Sequence, residues 1–471
     1  MNSPYAPLQC IRAPMMRIAL EGVLVMLIVA TGRTAAAPPD SSGQRYTIEK
    51  AVETALRLNH GLAAARFEVE QSDARVREAW GYALPKLDLL GTYSRALKKQ
   101  VFFLPDFNDL SSGRVQPVEI GSDHSLNMGV SASQVLFNSA VFTGVGAARV
   151  YSRAARDVLR AKEVETVTNA RKAFYGVQVA GEVVAMMRET MTNAEENLHN
   201  VKVLTAQGLS SEYDQLRAEV GVANLRPEVI NAENSYSLAL NNLKITMGIP
   251  FSDTVEVDGT LEFEPLPPRV MEAAAESVLI LNPALRAARL QTEVNDAFIT
   301  AERSNYLPTL AAFGNYQWQT QKNDLHISSA DFVGSAIVGL TLSMNVFSGL
   351  QTNARVEQAK LELRKSEEQV VGLELGLRTL VESITLRLRS AAERVEAQGK
   401  TVEMARKGYR IANTRFTSGS GTQLEVRDAI LALTAARVNR IQAIYDYLVA
   451  SAELDQALGR LPAYVEGAIE E

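Results

Sequence analysis

The chain is short of the residues that most chemistry is built from. Among 471 residues there is one cysteine, Cys10, and there are four histidines, His60, His124, His199 and His326. A single thiol excludes an intramolecular disulfide and any cluster of thiolate ligands. The histidines stand in no metal-ligand spacing, and no Gly-rich phosphate loop or nucleophile elbow accompanies them. No enzyme activity, cofactor or metal is therefore expected. Excess positive charge is missing too. The formal net charge is −6, so a nucleic-acid partner is not expected. Beyond residue 37 there is no run of ~20 apolar residues, and hence no candidate transmembrane helix. Disorder is excluded as well, since 46% of the residues are hydrophobic and only 22% charged.

One apolar run stands near the start. "IALEGVLVMLIVA" follows Arg12 and Arg17 and precedes the small residues "TAAA" at 34–37. That is the layout of a secretory signal peptide. It is expected to span 1–36, with cleavage after Ala36, and with Met15 or Met16 as possible starts. The run falls short of the ~20 residues that a spanning helix needs. Its removal takes away three Arg, one Glu and Cys10, and moves the net charge from −6 to −8.

What is present is written twice. "ALRLNHGLAAARF" (55–67) matches "VLILNPALRAARL" (278–290), and "LPKLDLLGTYS" (84–94) matches "LPTLAAFGNYQ" (307–317), both at an offset of 223 (282 − 59 = 308 − 85). Farther on, "AQGLSSEYDQLRAE" (206–219) pairs with "TSGSGTQLEVRDAI" (417–430) at an offset of 211 (419 − 208). The chain reads as two copies of one unit, 47–250 and 270–462, with a Pro-rich linker at 251–269 and a tail at 463–471. Each unit is expected to run helix, strand, loop, strand, long helical hairpin. The first has strands 86–97 and 123–136 and the hairpin 140–248. The second has strands 309–321 and 335–347 and the hairpin 350–459.

Pro85 and Pro308 end the first helix of each unit, because a proline disfavours helical geometry in the residue before it. They are the expected helix-to-strand joints. The strands then alternate. Leu126, Met128, Val130 and Ala132 oppose Asn127, Gly129, Ser131 and Ser133. Val338, Leu340, Leu342 and Met344 oppose Gly339, Thr341, Ser343 and Asn345. Period two with an apolar face and a small polar face is a half-buried strand. A soluble sheet packed on helices would show the same alternation. The signal peptide and the aromatics Tyr93, Tyr316 and Trp318 favour a membrane β-barrel instead. Four strands cannot close a barrel, and an open edge in lipid leaves backbone groups unpaired, so several chains must share one.

The long helices repeat every seven residues. Leu424, Leu431, Val438, Tyr445 and Ala452 form one stripe, joined by Ile441 and Leu448. Leu363, Val370, Leu377, Ile384 and Ala391 form another, joined by Leu373, Leu380 and Leu388. Such stripes pack helices along one another. Gly372, Gly376 and Gly399 are expected to allow close approach, and Pro227 to kink its helix. At the turns, Gly208 and Gly419 suit a left-handed helix cap. Thr422-x-x-Glu425 is a capping box and Ser211-x-x-Asp214 its weaker counterpart.

Together these residues resemble the TolC-like family of bacterial outer-membrane efflux and secretion ducts. The resemblance rests on the doubled N-(P)-x-L helix, the doubled Leu-Pro step and the doubled turn from Gly208 to Asp214 and Gly419 to Glu425. It implies a mainly α fold with a membrane β-barrel: a long α-helical barrel in the periplasm, four strands per protomer and a trimeric 12-strand barrel. It implies an outer-membrane location among lipid, a periplasmic adaptor as partner, and an inner-membrane RND or ABC transporter behind it. Gly208, Ser211, Asp214, Gly419, Thr422, Glu425 and Asp428 would then mark a periplasmic tip that meets the adaptor and narrows the channel. His60 in place of proline, Glu425 in place of aspartate and Pro227 depart from the family pattern. The competing reading is a secreted coiled-coil structural or adhesion protein, which explains the helices but not the four amphipathic strands. Residues 98–122 and 322–334 read as outer loops, turn-rich and without period. A peptide tag inserted at Ser112 should therefore label on intact cells, and labelling only after lysis would reverse the topology.

Overall fold

The computed structural model describes residues 44–105 and 115–465. The expected signal peptide, Ser112 and residues 466–471 of the tail lie outside the described residues. In chain order the elements are β1 (Gln44–Tyr46), α1 (Ile48–Leu58), α2 (His60–Gly81), β2 (Lys86–Arg95), β3 (Gln100–Pro105), β4 (Val115–Ile120), β5 (His124–Phe137), α3 (Ser139–Ala206), α4 (Glu212–Met247), β6 (Val255–Val257), α5 (Pro268–Leu281), α6 (Pro283–Arg303), β7 (Thr309–Lys322), β8 (Val333–Ser343), α7 (Gln351–Thr417) and α8 (Gln423–Ala457).

The motif N-(P)-x-L proves to be a clasp. Asn59 separates α1 from α2, and its Oδ1 accepts from the Leu62 amide at 3.0 Å, capping α2. Its Nδ2 donates to the Thr246 carbonyl at 2.9 Å, near the end of α4. Asn282 does the same for α6 and α8, with Leu285 N at 2.9 Å and Ala457 O at 2.8 Å. One amide thus satisfies a helix start and a helix end, two places where the backbone runs out of internal partners. His60 occupies the position of Pro283 without altering the cap: the two asparagines have φ of −61° and −62°. Gly248 and Gly459 let the long hairpins reach the clasps. Both are at positive φ, and a Cβ on Gly248 would stand 2.3 Å from the Leu58 carbonyl oxygen.

The principal sheet has the order β2-β5-β7-β8, antiparallel throughout. Register aligns the alternation of all four strands. Leu89, Val130, Tyr316 and Ala336 share one face, while Asp88, Ser131, Asn315 and Ile337 share the other. Among the described residues the outer edges of β2 and β8 have no ladder partner. β8 stops at Ser343, four residues before the expected 347. Its last partner is Thr309, and Pro308 before it has no N–H to extend the ladder. The expected outer loop 98–122 also differs, since β3 and β4 pair within it, Phe102 opposite Val118. Pro105 and Pro117 hid this ribbon, yet both are tolerated because it has only edges.

α3 and α7 contain 68 and 67 residues, roughly 100 Å each at ~1.5 Å per residue. α3 packs on α4, α7 on α8, and α3 on α8, so the four lie along one another. The seven-residue period is present, but the stripe on α8 is displaced by two residues. Its buried positions are Val426, Leu433, Tyr447 and Leu454, with Ala436, Ala443, Ala450 and Ala457 beside them. Leu424 and Leu431 are 40% and 55% exposed. On α7 Leu377, Ile384, Leu388 and Ala391 are buried as expected, while Leu380 is exposed. Gly372, Gly376 and Gly399 do not serve close packing within the chain, because a Cβ on any of them would meet nothing within 4 Å. α4 continues as one helix through Pro227.

Asn282→Ala should remove a cap worth ~1 kcal/mol and strand a buried carbonyl at ~1–3 kcal/mol. The expected loss is about 2–4 kcal/mol, against about 1 for Thr422→Ala at its exposed cap. Thermal melting of the detergent-solubilised protein by circular dichroism checks the order. Equal losses would remove the clasp from its organising role.

Candidate functional site

The cluster of Val201, Ala218, Ala412, Phe416 and Val426 draws the ends of α3, α4, α7 and α8 together. Both helical turns therefore lie at the same end of the molecule, opposite the sheet. At the first, Gly208 has φ 74° and its amide donates to the Thr205 carbonyl at 3.0 Å, closing α3. Ser211 caps α4. Its Oγ accepts from Asp214 N at 3.1 Å and donates to Asp214 Oδ2 at 2.6 Å, and the same carboxylate accepts from Ser211 N at 3.4 Å. This expected weaker pair makes the complete capping box.

The second turn is built differently. Gly419 again has φ 74°. Thr422 Oγ1 accepts from Glu425 N at 3.3 Å, but the return bond of a capping box is missing, because the Glu425 carboxylate turns toward Arg415 at 3.7 Å. Arg415 staples the whole turn. Its carbonyl accepts from Ser420 N and Gly421 N at 2.9 and 3.0 Å, and its Nη2 donates to the Ser420 carbonyl at 3.1 Å. Gly421 has to be small, since a Cβ there would sit 3.0 Å from the Arg415 Cβ. In the first turn Ser210 takes the matching place. Asp428 pairs with its neighbour Arg427 at 3.2 Å. Two of the three tip carboxylates thus have an arginine beside them, and only Asp214 is held by hydroxyl and amide alone. Sequence spacing singled out neither Arg415 nor Gly421. The pattern R-x5-G acquires its meaning only once the turn is closed.

At the other end lie the joints. Gln134 Nε2 donates to the Ala83 carbonyl at 2.6 Å, just before Pro85. Asn138 caps α3 and reaches Thr309 Oγ1, just after Pro308, at 3.4 Å. Pro85 and Pro308 are therefore tied to the central strands, and the polar face between them carries Ser, Thr, Asn and Gln with a single close pair of charges, Lys86 and Asp88 at 3.1 Å. Among the described residues no three His, Cys, Asp or Glu side chains gather as a metal site. Nor, among the described residues, is any helix long and apolar enough to cross a membrane.

The chain is similar to proteins of known role. The family model of outer membrane efflux proteins matches residues 51–248 and again 274–460. The outer membrane protein TolC of Vibrio cholerae is 23% identical over 71% of this chain and 77% of its own length. The cobalt-zinc-cadmium resistance protein CzcC of Cupriavidus metallidurans is 22% identical over 90% of this chain and 92% of its own. Among solved structures, the CmeC outer membrane channel of Campylobacter jejuni superposes with a TM-score of 0.72 at 17% identity, covering 90% of this chain and 88% of that one. An apolar-faced sheet set on long helical hairpins, two capped turns at the far end and a family match to both halves lead to one conclusion: the chain belongs to the outer membrane efflux protein family and works as an export channel of the bacterial outer membrane.

Proposed function

We propose that three copies of this chain form one duct, with a shared twelve-strand barrel in the outer membrane and an α-helical tunnel in the periplasm. The carrying observation is the sheet: four strands, one continuous apolar face, and two edges without partners among the described residues. In lipid those edges need strands from further copies, and eight strands are about the least that close. The double match of the family model supports reading the chain as two copies of one unit. The duct gives passive export in a tripartite efflux pump or a type I secretion system. A periplasmic adaptor would dock at the turns, and an inner-membrane RND or ABC transporter would choose the cargo. Similarity to metal-resistance and TolC proteins supports that setting. The polar sheet face would line the exit, and its few charges suit a passage that binds no cargo tightly.

At the tip, three copies would bring nine carboxylates to a narrow mouth, from Asp214, Glu425 and Asp428. Arg415 and Arg427 offset part of that field, so the mouth favours cations modestly rather than strongly.

Mass measurement in detergent should give three protomers, whereas a stable monomer with native helicity would sink the trimer. Fractionation should place the protein in outer membranes, and release by salt alone would favour the coiled-coil adhesion reading. Glu425→Gln with Asp428→Asn should lower single-channel cation selectivity with the trimer intact. Unchanged selectivity with a lower melting point would leave these residues as caps. Gly419→Val should weaken export, because a β-branched residue at φ 74° distorts the turn although space for its side chain is free. Export and adaptor cross-linking that both survive would take docking away from this turn.

A further inference from the structure

The apolar face of the sheet changes character at the rim farthest from the helices. There Arg95, His124 and Lys322 are register partners on β2, β5 and β7, one basic side chain on each of three neighbouring strands. Strand parity puts them on the face of Leu89, Val130 and Tyr316, directly beyond the row Tyr93, Leu126, Thr320. At the opposite rim the same face ends in Leu310 and Leu342. The distance from Leu87 to Arg95 is about the ~9–11 residues in which a tilted strand crosses a bilayer. The basic row therefore stands where the apolar band meets the outer leaflet.

The members of this rim have different partners. Lys322 is committed to its loop, 2.6 Å from Asp331 and 3.0 Å from the His326 carbonyl. Its ammonium holds the Asp331 carboxyl down at about 2. Lys99 is likewise taken by Asp123, at 3.2 Å. His124 is only 7% exposed, with Nδ1 2.9 Å from the Tyr93 hydroxyl and the two rings stacked. Arg95 and Lys98 are exposed and have no acidic partner among the described residues. Arg95 is the register partner of His124 beside this aromatic pair, and Lys98 follows three residues on, in the turn between β2 and β3.

We propose that Arg95, beside Tyr93 and His124, and Lys98, in the turn that follows β2, bind the phosphate-bearing headgroup of an outer-leaflet lipid. The inference rests on the duct reading above, which turns this face to lipid and this rim outward. Guanidinium and ammonium groups bind phosphate through charge-assisted hydrogen bonds, and the apolar band below accepts the acyl chains of the same molecule. Continuity of the two surfaces selects a lipid over a free anion. The charge at one rim only selects the outer leaflet.

The test uses the full-length protein, purified in detergent and stripped of lipid, with bisphosphorylated lipid A in mixed micelles as probe. Arg95→Gln with Lys98→Gln should weaken binding about tenfold, the scale of one or two charged hydrogen bonds. Lipid A without phosphates should bind the unaltered protein about tenfold more weakly than the phosphorylated form does. That arm holds even where the variant fails to assemble. Lys86→Gln, at the other end of β2, should leave affinity unchanged, and equimolar inorganic phosphate should not compete. Equal binding of both lipids, an unaffected double variant, an equal loss in Lys86→Gln, or displacement by inorganic phosphate would each overturn the proposal. Absence of the unaltered protein from outer membranes would instead overturn the duct reading itself.

Discussion

Two buried or half-buried amides carry the architecture. Asn59 and Asn282 each take the last free carbonyls of a long hairpin and the first free amides of a short helix, and so fix where one stands against the other. From that point α2 and α6 run to Pro85 and Pro308, the strands follow, and α3 and α7 return past the same level. If the clasp shifted, the strands would enter their sheet at the wrong height relative to the helices. Nearby ion pairs such as Arg286–Asp157 and Arg289–Glu374 are partly exposed and orient α6 rather than anchor it.

Much of this order could be read from residues alone. The proline joints and the left-handed turns at Gly208 and Gly419 have local causes, which survive in a sequence; the Asn motif shows as a repeat, but its second bond reaches a carbonyl 187 or 175 residues away and is not visible in it. The register of α8 did not. Large apolar residues mark a stripe through Leu424 and Leu431, but the helix buries Ala436, Ala443, Ala450 and Ala457, whose small side chains lie where α8 packs on α7. Alanine carries little signal in a hydrophobicity pattern and much weight in a tight helix contact. The second turn was illegible for another reason. Thr422 and Glu425 spell a capping box, yet a guanidinium ten residues before Glu425 competes for the carboxylate. Nothing in the spacing shows which partner wins. β3 and β4 were hidden by prolines that matter only in a central strand.

The distribution of charge follows the distribution of work. The polar face of the sheet is almost neutral, the helix turns carry mixed charge, and the far rim is basic on its outward side. In the proposed barrel, where this face would line the exit, hydroxyls and amides would hydrate the contents without holding them. Charges are instead paired along and between the long helices, as in Arg171–Asp455, Lys172–Glu453 and Arg437–Glu189, and gather again at the turns and the far rim.

The near-equal lengths of α3 and α7 make the molecule a ruler. Each added heptad would lengthen a helix by ~10 Å, and an unmatched insertion in one would shear the turns out of their common cluster. In the proposed duct, the reach of the helical tunnel would therefore change in steps of whole heptads, written into four helices at once. A cell that widened that compartment would have to change all four together or lengthen the adaptor instead.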